Sequence, residues 1–123
     1  MAGGNIKGIT ISFNGDTTKL DKALRQVRTS TKDIDKELKQ VNNALKFNPT
    51  NVDLWRQKQE LLNQKVSKTE ENLKNLKNVQ AQMDAKGVDK QSEAYRAVQR
   101  EIITTESKLK NFKKQLAEVG NAN

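Results

Sequence analysis

Residues 20–47 read LDKALRQVRTSTKDIDKELKQVNNALKF, and the spacing of the apolar residues in this stretch decides the fold class. Apolar residues, joined by one threonine, recur at alternating steps of four and three residues. That spacing is the heptad pattern of helices that pack along one apolar seam. The stretch therefore predicts one amphipathic helix over residues 17–47, with a seam formed by Leu20, Leu24, Val27, Thr31, Ile34, Leu38, Val41 and Leu45.

Two further segments repeat this spacing beyond two turn signals. Pro49 cannot continue a helix, and Gly87 suits the left-handed conformation that ends one. The pattern predicts a second helix over residues 51–85, capped by Asn48 or Asn51, and a third over residues 90–119, capped by Asp89 and ended by Gly120. The expected core of the bundle is Leu24, Thr31, Leu38 and Leu45 in the first helix, Trp55, Leu62, Thr69 and Leu76 in the second, and Tyr95, Ile102, Thr105 and Phe112 in the third.

Each seam carries one threonine near its midpoint, at Thr31, Thr69 and Thr105. In an antiparallel hairpin, the numbers of two residues at one level add up to a constant. The midpoint between Thr31 and Thr69 falls inside the turn that Pro49 marks, and the midpoint between Thr69 and Thr105 falls inside the turn that Gly87 marks. We therefore predict a mainly α fold, an up-down-up bundle with one threonine layer. A chance alignment of the threonines, and a coiled coil that pairs helices of different chains, are the alternatives.

The N-terminal segment has a different pattern. Residues 6–13 alternate in polarity and are rich in β-branched side chains, which predicts a short strand ahead of the helices. We interpret residues 1–5 as a flexible lead-in, residues 6–120 as a single domain, and residues 121–123 as a tail or the start of a linker. Because one strand has unpaired edges, its expected partner is another chain. The candidate residues for contacts between chains are Ile9, Ile11 and Phe13 on the strand, with Leu54, Leu61 and Ile103 beside the main seams, where a wider core is the alternative.

The composition argues against an enzyme. The chain has no cysteine and no histidine, which removes the commonest metal ligands and the usual acid–base residue. No phosphate-binding glycine motif and no organised nucleophile is present, so we expect no catalytic residue, no cofactor and no metal. No apolar run is long enough to span a membrane, so we expect no membrane partner.

The charge balance leaves one chemical alternative. Twenty-three Lys and Arg against fifteen Asp and Glu give a formal net charge of +8, which favours a polyanionic partner such as DNA. The basic residues alternate with acids along the chain, as they do on a solvated helix face. Nucleic-acid binding is therefore possible but not favoured by the sequence, since the aromatic residues fall on the seams and no reader motif occurs.

Several segments resemble a known family. They are GITI at residues 8–11, GDTTKLDKAL at 15–24, LKQVN at 38–42, LKFNP at 45–49, KQELL at 58–62 and YRAVQREI at 95–102. In these segments the sequence resembles the N-terminal region of phage tail tape-measure proteins from tailed phages and prophages of Gram-positive bacteria. The strand-to-helix and Asn-Pro segments carry the resemblance, because the others are typical of many coiled coils.

The resemblance implies a structural protein of the virion tail, made in the bacterial host cytoplasm. Family members lie in the tail tube, set its length during assembly, and work with tube subunits and assembly chaperones. As a single helix, 123 residues would reach only about 185 Å, which is too short for the ruler itself. We therefore expect an N-terminal domain that associates with itself. A basic nucleic-acid-binding module and a free-standing helical chaperone or adaptor are the alternatives.

Overall fold

The protein is mainly helical. The structure, a computed structural model, describes residues 18–122, with side chains described over residues 19–120. This range holds four helices and no strand: α1 (Thr18–Thr29), α2 (Lys32–Phe47), α3 (Val52–Ala85) and α4 (Glu93–Ala122). The lead-in at residues 1–5 and the strand at residues 6–13, with Ile9, Ile11 and Phe13, lie outside the described residues.

The helix predicted over residues 17–47 is two helices in the structure, because α1 ends at Thr29 and α2 begins at Lys32. Thr29 Oγ1 donates a hydrogen bond to the carbonyl oxygen of Arg25 at 3.1 Å. Hydroxyl side chains compete in this way for backbone groups, and three stand in a row at residues 29–31. Three consecutive hydroxyl residues were thus the sequence signal for the break.

The turn between α2 and α3 uses one asparagine for each helix. The Asn48 side-chain amide donates to the carbonyl oxygen of Ala44 at 3.2 Å, and the same oxygen accepts the Asn48 backbone N–H at 3.0 Å at the end of α2. Asn51 Oδ1 accepts a hydrogen bond from the backbone N–H of Leu54 at 3.1 Å and caps α3. Of the two asparagines that the sequence offered as the cap of the second helix, Asn51 caps α3, and Asn48 lies at the C-terminus of α2.

Gly87 ends α3 in the left-handed conformation, with φ at +68°. The Val88 N–H donates to the Met83 carbonyl at 2.9 Å, and the Gly87 N–H donates to the Asp84 carbonyl at 3.1 Å. This pair of bonds is the Schellman arrangement of a helix C-terminus, which requires positive φ at the glycine.

The start and the end of α4 differ from the prediction. Helix α4 begins at Glu93 because Ser92, rather than Asp89, caps it: Ser92 Oγ accepts from the Tyr95 N–H at 3.2 Å. Asp89 instead holds the connecting loop, where its Oδ1 accepts from the Gln91 N–H at 2.9 Å. Gly120 was expected to end the helix but lies inside it.

A substitution at Gly87 tests this turn. We expect Gly87→Ala to lower the free energy of unfolding by about 1–2 kcal/mol, because a Cβ disfavours the left-handed conformation even though it would meet no atom within 4 Å. The matched control is Gly120→Ala, which adds a methyl group in open space within a helix and should raise stability by about 0.5–1 kcal/mol. Chemical denaturation followed by circular dichroism measures both, and a Gly87 variant as stable as the wild type would contradict the prediction.

The helices form two compact units. The described part of the first unit comprises residues 18–29 and 71–106, and that of the second comprises residues 30–70 and 107–122. Helix α1 therefore belongs to the first unit and α2 to the second, while α3 and α4 contribute one part to each. The break at residues 30–31 falls where the chain passes from one unit to the other.

The first unit has its own apolar core. Each of its three helical segments supplies apolar side chains at helical spacing, so that one face of each segment is buried. The members are Leu20, Ala23 and Leu24 from α1, Leu76, Val79 and Met83 from α3, and Tyr95, Val98 and Ile102 from α4. Segments α3 and α4 run antiparallel here, since Asp84 contacts Tyr95 while Lys77 pairs with Glu106.

The second unit has a separate core around Leu62, which is 1% exposed. Its buried members are Leu38, Val41 and Leu45 from α2, Leu61 and Leu62 from α3, and Val119 from α4, with Ile34, Leu54, Trp55 and Leu116 packed against them. Leu45, Trp55 and Val119 share this core. The seam of residues 20–45 is thus buried on both sides of the break, but in two different cores.

The three seam threonines divide between the two units. Thr31 and Thr69 belong to the second unit and Thr105 to the first. Thr69 is buried, and its Oγ1 donates to the Lys65 carbonyl of its own helix at 2.7 Å. The Thr31 Oγ1, half-buried, donates to Asp35 Oδ2 at 3.1 Å. The hydroxyls of Thr31 and Thr69 therefore each bond a group of their own helical segment. Threonine hydroxyls commonly make such local bonds, whether or not the residues share a level.

Candidate interaction surface

The residues proposed for contacts between chains lie in different places. Leu61 is 7% exposed and belongs to the core of the second unit, and Leu54 packs against that core. Ile103, in the first unit, is 58% exposed. Leu54 and Leu61 therefore pack within their own unit, whereas Ile103 faces solvent.

A different apolar surface stands out at the turn between α2 and α3. Phe47 and Val52 flank this turn and are 85% and 61% exposed. We call residues 47–52 the apolar turn. Two large apolar side chains exposed at one turn make the turn a candidate contact with another molecule.

The apolar turn is held in place by Trp55. The Trp55 indole N–H donates to the carbonyl oxygen of Pro49 at 2.8 Å, while its ring packs against the core of the second unit. Lys58 Nζ lies 5.4 Å from the ring centroid, within the range of a cation–π contact. Trp55 therefore anchors the turn to the core, which is the structural role expected of it. Because the backbone of the turn is held in this way, it need not become ordered when a partner covers Phe47 and Val52.

The seam spacing of the second helix predicts a buried Val52, but Val52 is 61% exposed, and the sequence indicated neither Val52 nor Phe47 as a contact residue. Phe47 follows Leu45 by two residues, and residues two apart on a helix point in directions about 200° apart. Because Leu45 is buried, that spacing was the signal that Phe47 faces away from the core. Val52 stands at the first position of α3, ahead of the turns that pack.

Lys65 is a largely buried charge of the second unit, with its side chain 13% exposed. Its ammonium group pairs with Asp35 and lies 4.0 Å from the centroid of the Phe112 ring. Lys65 thus links all three helical segments of this unit, and Phe112 is covered rather than fully buried. An ammonium with both partners in place is a structural element, and it offers no open position for a ligand.

The first unit holds a buried carboxylate that, like the Lys65 ammonium, pairs with an opposite charge. Glu101 is 7% exposed within α4, and its Oε1 accepts a hydrogen bond from Arg28 Nε at 2.9 Å. Arg28 is 55% exposed, so solvent screens part of this attraction. The pair joins α1 to α4. Because the Glu101 carboxylate already has a partner, we assign Glu101 a structural role.

Tyr95 and Asp84 make a further polar contact in the first unit. Tyr95 Oη donates to Asp84 Oδ1 at 2.9 Å. This hydrogen bond, followed by burial and by the negative charge of Asp84, raises the pKa of Tyr95 above its ordinary value of 10.0. The contact ties the end of α3 to the start of α4 across the loop that Gly87 begins.

This shift gives a pH prediction. Because the pKa of Tyr95 is higher in the folded than in the unfolded chain, the contact stabilises the first unit below about pH 10 and is lost as the pH rises through the folded-state value. Tyr95 is the one tyrosine of the chain, so tyrosinate absorbance reports it alone. We expect a titration midpoint above that of a blocked tyrosine amide, and a lower midpoint in Asp84→Asn. Equal midpoints for the protein and the amide would contradict the assignment.

Within residues 19–120, no group of three or more acidic side chains could hold a metal ion. None of the helices in the described part of the chain combines the length and the apolar character needed to cross a membrane. Comparison with known proteins finds no matching family model, no similar curated protein and no similar solved structure. Arguments about function therefore stand on the residues of this chain.

Proposed function

We propose that this chain is a non-catalytic assembly module that works through protein–protein contact, and more specifically the N-terminal domain of a phage tail tape-measure protein. The observation that carries the general proposal is the apolar turn. Phe47 and Val52 are exposed at a turn that Trp55 fastens to a core. A preorganised apolar contact of this kind is typical of a binding surface, because little conformational entropy is lost when a partner covers it.

The expected contribution of the turn is sizeable. Covering a Phe or Val side chain removes apolar surface from water, and full burial of either is worth about 1.5–3 kcal/mol. Aromatic residues at the centre of an interface often dominate its affinity. Phe47 is therefore the side chain that we expect to dominate the contact.

The more specific part of the proposal comes from the resemblance to tape-measure proteins. One segment that carries it, LKFNP at residues 45–49, contains Phe47 and the start of the apolar turn. In this proposal the chain acts in the virion tail, self-associates, and contacts tail tube subunits and assembly chaperones. The strand predicted at residues 6–13 would provide a second contact between chains.

Self-association is tested by sedimentation velocity across a range of protein concentrations. We expect the wild-type chain to form oligomers and the double variant Phe47→Ser with Val52→Ser to shift towards monomer. Ile103→Ser, which removes the exposed candidate residue of the first unit, is measured alongside it, and a shift towards monomer in this variant alone would place the contact at Ile103 instead of the apolar turn. A wild-type chain that stays monomeric at all concentrations would contradict self-association. Oligomers that survive the double variant would remove the apolar turn from the contact.

The tape-measure assignment needs a different experiment. We expect tryptic peptides of this chain in purified tail particles of the phage or prophage that encodes it. We also expect the genomic reading frame to continue past Asn123 into a long helical protein. Absence of the peptides from intact tails that contain every other tail protein would rule the assignment out and leave the general assembly role to be tested by sedimentation.

A further inference from the structure

Helix α2 carries a line of lysines on its outer face. Lys32, Lys36, Lys39 and Lys46 are all exposed, and Asn43 occupies the place in the line between the last two. We call these five residues the lysine stripe. The positions of Lys32, Lys36, Lys39 and Asn43 each precede by two residues a position that packs in the core of the second unit: Ile34, Leu38, Val41 and Leu45.

That offset fixes where the stripe points. Two residues correspond to about 200° around an α-helix, so side chains at these positions project nearly opposite to the buried face. Lys46 follows Asn43 by three residues and continues the same line. The stripe therefore lies along the outermost edge of α2, and its charges share one face even though acids and bases alternate in the sequence.

The four lysines are not engaged within the described chain. No carboxylate of residues 19–120 forms an ion pair with any of them, whereas Lys65 pairs with Asp35 and Lys113 pairs with Glu70. Asp35 is the acid beside the stripe on one flank, and Lys65 already neutralises it. Asp33 and Glu37 are exposed on the other flank, away from the line itself.

The form of the stripe limits what can bind it. From Lys32 to Lys46 it comprises 15 residues and rises about 21 Å, with its five positions alternating by four and three residues. A second copy of this chain carries a net charge of +8 and is a poor match for four lysines. A lipid surface would call for large apolar side chains among the lysines, and the stripe holds none. A linear partner with evenly repeated negative charges fits best, and duplex nucleic acid carries one phosphate charge per about 1.7 Å of its axis.

We propose that the lysine stripe of α2 binds the phosphate backbone of duplex DNA without sequence preference. This goes beyond the assembly role and rests on different residues. Lysine is a point charge that suits phosphate without selecting a base, and the Asn43 amide can donate to a phosphate oxygen between its neighbours. Along the sequence the basic residues alternate with acids, whereas the structure places these four lysines on one face of α2.

The number of lysines sets the size of the effect. Each phosphate contact on duplex DNA contributes about −0.9 to the slope of log K against log salt concentration, so four contacts give a slope of about −3.6. Binding of this kind is weak at physiological salt, with dissociation constants of about 10⁻⁴ to 10⁻⁶ M. The measurement therefore belongs at low salt, where the contacts are strongest.

The test measures binding of a fluorescent 20-base-pair duplex of arbitrary sequence by anisotropy, at several salt concentrations. The stripe variant carries Lys32→Gln, Lys36→Gln, Lys39→Gln and Lys46→Gln. The charge-matched control carries Lys74→Gln, Lys90→Gln, Lys108→Gln and Lys110→Gln, which are exposed lysines elsewhere. We expect the stripe variant to lose most of the affinity and most of the salt slope, and the control to keep both within a few-fold.

Three results would overturn the proposal. No binding by the wild-type chain at low salt would do so, and so would equal weakening in the two variants, which would mean that net charge alone attracts the duplex. The third is equally tight binding of poly-L-glutamate, which would point to an acidic protein as the partner. Circular dichroism of both variants controls for folding, and because every substituted lysine is exposed, we expect wild-type helicity.

Discussion

Replacing Leu76 by alanine is expected to lower the free energy of unfolding of the first unit by about 2–5 kcal/mol. Leu76 is fully buried, with 0% of its surface exposed, and it lies in the core that α1, α3 and α4 share. The substitution removes three carbon atoms and leaves a cavity that the surrounding side chains fill only in part. A domain of this size is stabilised by only about 5–15 kcal/mol, so the loss is a large share of the total.

Amide hydrogen exchange of α1 measures this effect, because α1 belongs wholly to the first unit. We expect faster exchange in α1 and a smaller change in α2, which belongs wholly to the second unit. The control is Ile103→Ala in the same unit, where an exposed side chain is shortened and the change should stay within about 0.5 kcal/mol. An equal acceleration in α1 and α2 would show that the two cores unfold as one.

The second unit gives the counterpart. Leu62→Ala is expected to lower its free energy of unfolding by about 2–5 kcal/mol, since Leu62 is 1% exposed and packs among residues of α2, α3 and α4. Trp55 packs against the same core and is the one tryptophan of the chain, so its fluorescence reports this unit. Urea denaturation followed by tryptophan fluorescence should show a lower midpoint.

Val52→Ala is the control for this substitution, because it shortens an exposed side chain in the same unit. Its change should stay within about 0.5 kcal/mol. If Leu62→Ala also shifted stability by less than about 1 kcal/mol, the second core would contribute little to folding, and the packing around Leu62 would have to be revised.

The helical class and most buried positions could be predicted from the sequence, because helical spacing alone selects one face. Leu24, Leu38, Leu62, Leu76 and Ile102 stand on predicted seams and are buried. The Gly87 turn was predictable for a comparable reason, since glycine takes positive φ at little cost. Where one local rule determines the structure, the residue type is sufficient to predict it.

The break at residues 30–31 was missed because two local rules compete there. Thr31 fits the seam spacing, which argues for a continuous helix, while the three hydroxyl residues favour its end. Only packing decides between them, and here α1 and α2 join different cores. The lysine stripe was missed for another reason: net charge and alternation say nothing about direction until the buried face of the helix is known.

Lys65 has a consequence for chemical reactivity. Reagents that acylate amines need an accessible, deprotonated nitrogen, and the Lys65 ammonium is 13% exposed, paired with Asp35 and stacked on Phe112. The exposed lysines of α2 offer no such protection. Acylation should therefore reach Lys65 last while the second unit is folded, so an unmodified amine at this position is a chemical mark of the native state.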